Sequence, residues 1–336
     1  VLKTRRFDFK DHMYMRSPHV VAIGGGTGLS AILRGIKGYT KNLTAIVTVG
    51  DDGGSSGMLR HDLGILPPGD IRNCILALAD EETIMQKLFN YRFHDGSLAG
   101  HNFGNLFLAA MNEISNNFLE AVIQTSQVLQ IAGKVLPITL EEMVLVAEMQ
   151  NGTVVKGESK IPKAALELQT SVKKLSLENP DVKTLPEIIK AIVMADIVIL
   201  GPGSLYTSII ANLLIPQVQE AIADGQAYTY YIANIMTQPG ETGGYTLEDH
   251  VKAIEAHTRV KKKLVQKIVY NTGKIPNDVL KRYRNMNTDV VVAGNPLKDY
   301  DWITDDFVCI EDLRVRHDAE LLARRIFQDY FWRKRT

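Results

Sequence analysis

Glycine-rich turns and one pair of adjacent carboxylates are the residues here whose types and spacing could do chemistry. Gly24, Gly25, Gly26, Thr27 and Gly28 follow the apolar run Val20 to Ile23 and precede a helical pattern through Leu29, Ile32, Leu33 and Ile36. Without a Cβ, a backbone lets its N–H groups approach an anion, and the N-terminus of the following helix adds about half a positive charge. The loop is therefore a phosphate-binding candidate. It departs from GxGxxG because Leu29 occupies the third glycine position, and it lacks the lysine of a Walker A loop. A purely structural turn would explain such a loop equally well if it stood alone.

It does not stand alone. Asp51 and Asp52 end a second apolar run, Leu43 to Val49, and Gly53, Gly54, Ser55, Ser56 and Gly57 follow at once. Neighbouring strand side chains point to opposite faces, so one aspartate is expected to face a cleft. That residue could accept a ribose or sugar hydroxyl, or, as Asp52, hold Mg²⁺ through oxygen. Turn carboxylates bonding nearby amides are the alternative. Pro67-Pro68-Gly69-Asp70-Ile71-Arg72-Asn73 opens another helix, with Asp70 as its expected cap. Arg72 could fork onto phosphate oxygens or pair with Asp70 on the surface. Asn102, beside His101, offers polar groups before a further helix. Gly201, Gly203 and Ser204 repeat the strand, glycine turn and helix order, with Thr207 and Ser208 as hydroxyl donors. Asn234, Thr237 and Gln238 follow a later strand and suit a base or sugar. No HExxH is present, and no pair of residues demands a nucleophilic mechanism.

These turns must sit at the ends of parallel strands. Strand, loop, helix and strand in that order predict a βαβ start, with ligands bound beyond the carboxyl ends of the strands. Apolar runs at 196–200, 228–233, 267–270 and 290–293 predict further strands, and 318–331 an amphipathic C-terminal helix. Pro216 is expected to stop the helix that begins near Leu205, while Thr246 to Asp249 has the form of a capping box. Residues 143–149 and 153–157 flank Asn151-Gly152, a hairpin pair, and 158–186 read as an irregular excursion. The expected organisation is an extension at 1–18, ahead of an internal Met13 or Met15 start, then a Rossmann-like domain from 19–133 and 187–332. An insertion at 134–186 interrupts it. The fold class is α/β, a mostly parallel sheet with helices on both faces.

Composition narrows the functions. Lysine plus arginine equals aspartate plus glutamate at 38 each, so no net field favours nucleic acid or a membrane surface. Lys261-Lys262-Lys263 and Arg333-Lys334-Arg335 read as solvated runs. Cys74 and Cys309 make neither a zinc motif nor a disulfide framework, and a reducing cytoplasm is the default. No run approaches the roughly 18–20 apolar residues of a membrane span.

GGGTGLS at 24–30, VTVGDDGGSSG at 47–57, PPGDIRN at 67–73, GPGSLYTS at 201–208 and NIMTQPGET at 234–242 closely resemble the gluconeogenesis factor family within the CofD-like superfamily. The resemblance spans residues 20–320. It implies a CofD-like fold, a cytoplasmic location and UDP-sugar binding. It also implies a role in growth on gluconeogenic carbon sources and in cell shape, with cell-wall-synthesis proteins and a homo-oligomer as partners to look for. Arg316 matches the family arginine tied to UDP-sugar binding. The superfamily's enzyme, 2-phospho-L-lactate transferase, uses Mg²⁺ to move a phospholactyl group from a guanylyl donor to a deazaflavin. A nucleotide-sugar sensor and a Mg²⁺-dependent transferase are therefore the competing expectations. A dinucleotide oxidoreductase is disfavoured by the imperfect fingerprint.

Overall fold

Except for the run at 290–293, the apolar runs become strands buried on both faces, as a parallel sheet covered by helices requires. The computed structural model describes residues 17–79, 84–295 and 297–335. The first part of the chain runs β1 (Val20–Gly24), α1 (Gly26–Ile36), β2 (Leu43–Val47), α2 (Gly54–Leu63), α3 (Gly69–Leu78), α4 (Ile84–Asn90), α5 (Phe103–Ile114), α6 (Phe118–Val128) and β3 (Lys134–Pro137). An excursion follows: β4 (Leu145–Met149), β5 (Val154–Lys156), α7 (Lys160–Glu167) and β6 (Val172–Leu177). Next come α8 (Pro186–Val193), β7 (Ile197–Leu200), a π-helical turn at Leu205–Ile210 that runs into α9 (Ala211–Leu213), and α10 (Pro216–Asp224). The chain continues as β8 (Tyr228–Ile232), α11 (Leu247–Ala256), β9 (Lys267–Asn271), α12 (Asn277–Arg284) and β10 (Asp301–Asp305). It closes with β11 (Val308–Glu311), β12 (Arg314–His317) and α13 (Ala319–Arg333).

Seven strands form one parallel sheet in the order β10-β9-β8-β7-β1-β2-β3. The order reverses direction between β1 and β7, which makes their junction the topological switch point. Period-two alternation splits each strand between two cores. Val21, Ile23, Ile46, Val198 and Leu200 face α8, α10, α11 and the excursion. Val20, Ala22, Ala45, Ile197 and Ile199 face α1, α3 and α13.

The excursion is more regular than its polar composition suggests. Lys134–Pro137, expected within the insertion, pairs with β2 as the edge of the main sheet. Residues 158–186 are not irregular. Ile161 and Ala165 bury one face of α7, and β6 adds to β4 antiparallel opposite β5. Lysines at 173 and 174 on the exposed positions of β6 mask its buried Val172, Leu175 and Leu177. The Asn151-Gly152 hairpin forms, with Gly152 at φ +85.

Further expectations change at the chain's second half. Val290 makes only an isolated bridge to Met236, and the sheet edge is β10, whose aspartates and threonine hid it. Pro216 opens α10 rather than merely ending a helix. The capping box at Thr246 and Asp249 is present. Residues 1–16 of the expected N-terminal extension lie outside the described residues, whereas the Ser17 and Pro18 carbonyls accept from Asn42 and Thr40. No helix among the described residues is long and apolar enough to cross a membrane.

Candidate functional site

The glycine loops after β1 and β7 lie back to back at the switch point. A Cβ on Gly28 would stand 2.5 Å from the Pro202 carbonyl oxygen and 3.1 Å from Gly203 Cα. A Cβ on Gly25 would meet Thr48, Asp70 and Ser208. Two polar side chains fasten the pair. Asn212 Nδ2 donates to Gly24 O at 3.0 Å, and Asn234 Nδ2 donates to Gly203 O at 2.9 Å. Gly26 begins α1 at φ +65 with open space on its Cβ side. The first N–H groups of α1, including those of Thr27 and Gly28, have no carbonyl one turn earlier to bond. An anion can occupy that position. Ser204 precedes the π-helical turn that carries Thr207 and Ser208, both buried.

Asp70 does not cap its own helix. Its Oδ2 accepts the Gly26 N–H at 2.5 Å, so a carboxylate from the third turn braces the first. Burial is the main cause that lifts its pKa to about 6, and Asp51 adds to it while the Gly26 bond opposes it.

Asp51 and Asp52 do not end the strand: β2 stops at Val47, and in the loop beyond it the two carboxylates take different partners. Asp51 Oδ1 accepts the Gly53 N–H at 2.9 Å, and its carboxylate lies near Gly69. Asp52 Oδ1 accepts the Ser159 N–H at 2.8 Å, at the start of α7, which ties the excursion to this loop. The following residues act as struts. Gly53 and Gly54 lead into α2, Ser55 Oγ accepts from Asn102 N and Asn105 Nδ2, and Ser56 Oγ accepts from Gly69 N. Asn102 caps α5 by accepting from Asn105 N at 3.2 Å. Arg72 is not an Asp70 surface pair. Its Nη1 donates to Asn105 Oδ1 and its Nη2 to Asn73 Oδ1, at 2.9 and 2.7 Å.

Sequence reasoning missed the acids that complete this region. Glu241 is fully buried, accepting from the Thr207 hydroxyl and from the Tyr206 and Thr207 amides, and burial raises its pKa. Glu158, on the excursion, has its pKa lifted to about 7 by burial and then by Asp51, Glu241 and Asp52, while a Thr207 bond opposes the shift. Glu241 lies inside the NIMTQPGET stretch, so its motif was visible although its role was not. Nothing local marks Glu158, which depends on where the excursion folds. Among the described residues no group of three or more His, Cys, Asp or Glu side chains is arranged to hold a metal ion.

The remaining candidates divide. Gln238 Nε2 reaches Glu241 Oε1 at 3.4 Å, at the rim of the same region. Thr237 exchanges bonds with Asp289 in both directions, which makes it a loop fastener. Arg316 sits on the β11–β12 hairpin with its Nε 3.9 Å from a Glu311 oxygen. Its neighbour His317 donates from Nε2 to the Ala233 carbonyl at 3.1 Å, which seats the hairpin at the carboxyl end of β8 beside Asn234. Burial lowers the His317 pKa to about 4, so the ring is neutral there.

Comparison with known proteins places this geometry. Residues 20–304 match the family described as 2-phospho-L-lactate transferase CofD. The gluconeogenesis factor of Bacillus subtilis is 44% identical over 312 residues, covering 92% of this chain and 96% of its own. That of Halalkalibacterium halodurans is 44% identical over 318 residues, covering 94% and 97%. A solved structure of a UPF0052 family member from Bacillus halodurans is 43% identical, with a TM-score of 0.86 over 91% of this chain and 98% of that one.

Proposed function

The chain belongs to the CofD family, together with the proteins named gluconeogenesis factor, and on that premise we propose that it is a cytoplasmic regulatory protein that binds a UDP-sugar. In this reading it serves growth on gluconeogenic carbon sources and the control of cell shape. The observation that carries the ligand class is the back-to-back packing of the β1 and β7 glycine turns at the switch point. The α1 N-terminus and the Ser204 to Ser208 turn cradle the diphosphate. Asn234 and Gln238 serve the base or sugar, and Arg316 adds charge from the hairpin.

Titration calorimetry with UDP-sugars, GDP and NAD, each with and without Mg²⁺, tests the reading. UDP-sugars are expected to bind most tightly, and a preference for NAD would refute it. Replacing Arg316 with alanine removes a charge-assisted bond and should weaken UDP-sugar binding roughly 10- to 100-fold.

The family's description as a transferase supports a second reading. There Mg²⁺ would take oxygen ligands from Asp52, with phosphate oxygens and water completing its shell. The ion would neutralise charge developing on the transferred group. Metal-dependent phosphoester transfer that disappears in Asp52→Asn would favour the enzyme over the sensor.

A further inference from the structure

The loop from His257 to Gln266 carries α11 into β9 at the amino end of the sheet, opposite the glycine turns. It bounds a cavity of about 180 Å³ that opens to solvent at the margin of the core holding α10 and α11. Val251 and Ile254 of α11, with Leu264, Val265 and Tyr300, form its apolar wall, and all five are buried. Lys261, Lys262 and Lys263 line it as well, together with Glu255.

These three lysines are not a merely solvated run. Lys262 Nζ donates to the Ala223 carbonyl at 2.6 Å, which ties the loop to the end of α10. Lys263 Nζ lies 4.4 Å from the centre of the Tyr300 ring and 3.7 Å from an Asp299 oxygen. Its ammonium therefore combines a cation–π contact with an ion pair. Tyr300 donates its hydroxyl to Glu255. Among the described residues no hydrogen bond or ion pair engages the Lys261 side chain.

Size and charge together narrow what could occupy this cavity. An apolar cavity of roughly 150 Å³ accommodates a benzene ring, so this one suits a single ring or a short branched chain and is too small for a nucleotide. At its rim three ammonium groups meet the carboxylates of Glu255 and Asp299, which leaves one positive charge unmatched, and Lys261 is the group without a partner. A small apolar body bearing one carboxylate matches wall and rim at once. A free phosphate would leave the apolar wall uncovered, and a neutral ring would leave the rim unmatched.

We propose that this cavity binds a small monocarboxylate whose body is one ring or a short branched chain, with Lys261 meeting the acid. The site goes beyond the nucleotide reading and stands independently of it, because it lies at the other end of β9.

Phenylacetate and its neutral isostere phenylacetamide are the probes, titrated into the full chain and followed by ligand-observed NMR. Phenylacetate should bind saturably and roughly two- to fivefold more tightly than the amide at low salt, the scale of one exposed ion pair. Added salt should shrink that preference. Lys261→Met keeps the apolar stem and removes the charge, so it should reduce the preference while leaving the amide's affinity unchanged. Val260→Phe, on a half-buried lining residue, should fill the cavity and abolish binding of both compounds. Thermal melting shows whether each variant is folded, and the exposed Lys261 tests the site even if Val260→Phe does not fold. Absence of saturable binding to the parent, equal affinities for acid and amide, or an unchanged preference in Lys261→Met would overturn the proposal. Undiminished phenylacetate binding by a folded Val260→Phe protein would overturn it too.

Discussion

Asp70 links pH to the β1 glycine loop at the scale of a single residue. Its carboxylate is buried, its pKa lies near 6 rather than 3.8, and it bonds the Gly26 amide that opens α1. A carboxyl whose folded pKa is raised contributes stability fully below its unfolded pKa and loses it as pH rises through the folded value. The chain should therefore lose stability between about pH 4 and pH 6, by on the order of 2–3 kcal/mol from this group. Glu158, lifted to about 7, acts with the same sign and extends the loss toward neutrality. Asp70→Asn keeps an oxygen for Gly26 and removes the charge. Urea unfolding from pH 4.5 to 7.5 should show a flatter profile for the variant and higher stability than the parent at pH 7. An identical profile would mean that Asp70 titrates in the folded chain as it does in the unfolded one.

Close approach decides which glycines matter among the elements. Gly28 and Gly203 look equivalent as letters in two similar turns. Their surroundings differ. A methyl on Gly28 meets the Pro202 carbonyl at 2.5 Å, backbone that cannot swing aside, whereas a methyl on Gly203 meets Ser208 Cβ at 3.3 Å and Gly25 O at 3.4 Å. Gly28→Ala should cost about 1–3 kcal/mol, the range of an overpacked interior, and should weaken nucleotide binding by parting the two turns. Gly203→Ala should fold with less loss, since a few tenths of an ångström suffice. Denaturant midpoints and UDP-sugar titrations of the two variants make the comparison. Equal losses would show that contact between the turns is not what restricts Gly28. The same reasoning explains Asp52. Through Ser159 its carboxylate ties the excursion to the loop that begins at Asp51.

On the scale of the whole molecule, a buried charge cluster far from the glycine turns fastens the C-terminal helix α13 to β8 and β9 of the sheet. Lys267 at the start of β9 pairs with Asp329 of α13, with side-chain exposures of 7% and 15%. Tyr230 donates its hydroxyl to Asp329 Oδ2 at 2.8 Å, and Arg333 joins at 3.1 Å. α13 also packs on α1, so this cluster anchors the helix that covers α1. Removing one member of a buried pair strands the other, typically at about 3–5 kcal/mol. Asp329→Asn should lower the thermal midpoint sharply, and the paired replacement Lys267→Met with Asp329→Leu should recover most of the loss. A small effect of the single variant would mean that Arg333 and Tyr230 alone hold α13.

Local chemistry and period settled much of this protein in advance. Val20 to Ile23 and Ile197 to Leu200 are uniformly apolar because both of their faces are covered, and that alone implies a parallel sheet with glycine turns at its carboxyl edge. The hairpin at Asn151-Gly152 and the cap at Thr246 were readable for the same reason, since turn and cap geometry depend on a few adjacent residues. Tertiary structure decided the partners. Asp70 has the position of a helix cap but bonds Gly26, 44 residues away in sequence. Thr237, chosen for a ligand, is consumed by Asp289, while Glu158 and Glu241, chosen for nothing, meet at Thr207. Strands with one exposed face, such as β6 and β10, stayed hidden because half of their residues are charged or polar. Side-chain hydrogen bonds and electrostatic neighbours between residues distant in sequence are set by distances that folding creates, and no local spacing encodes them.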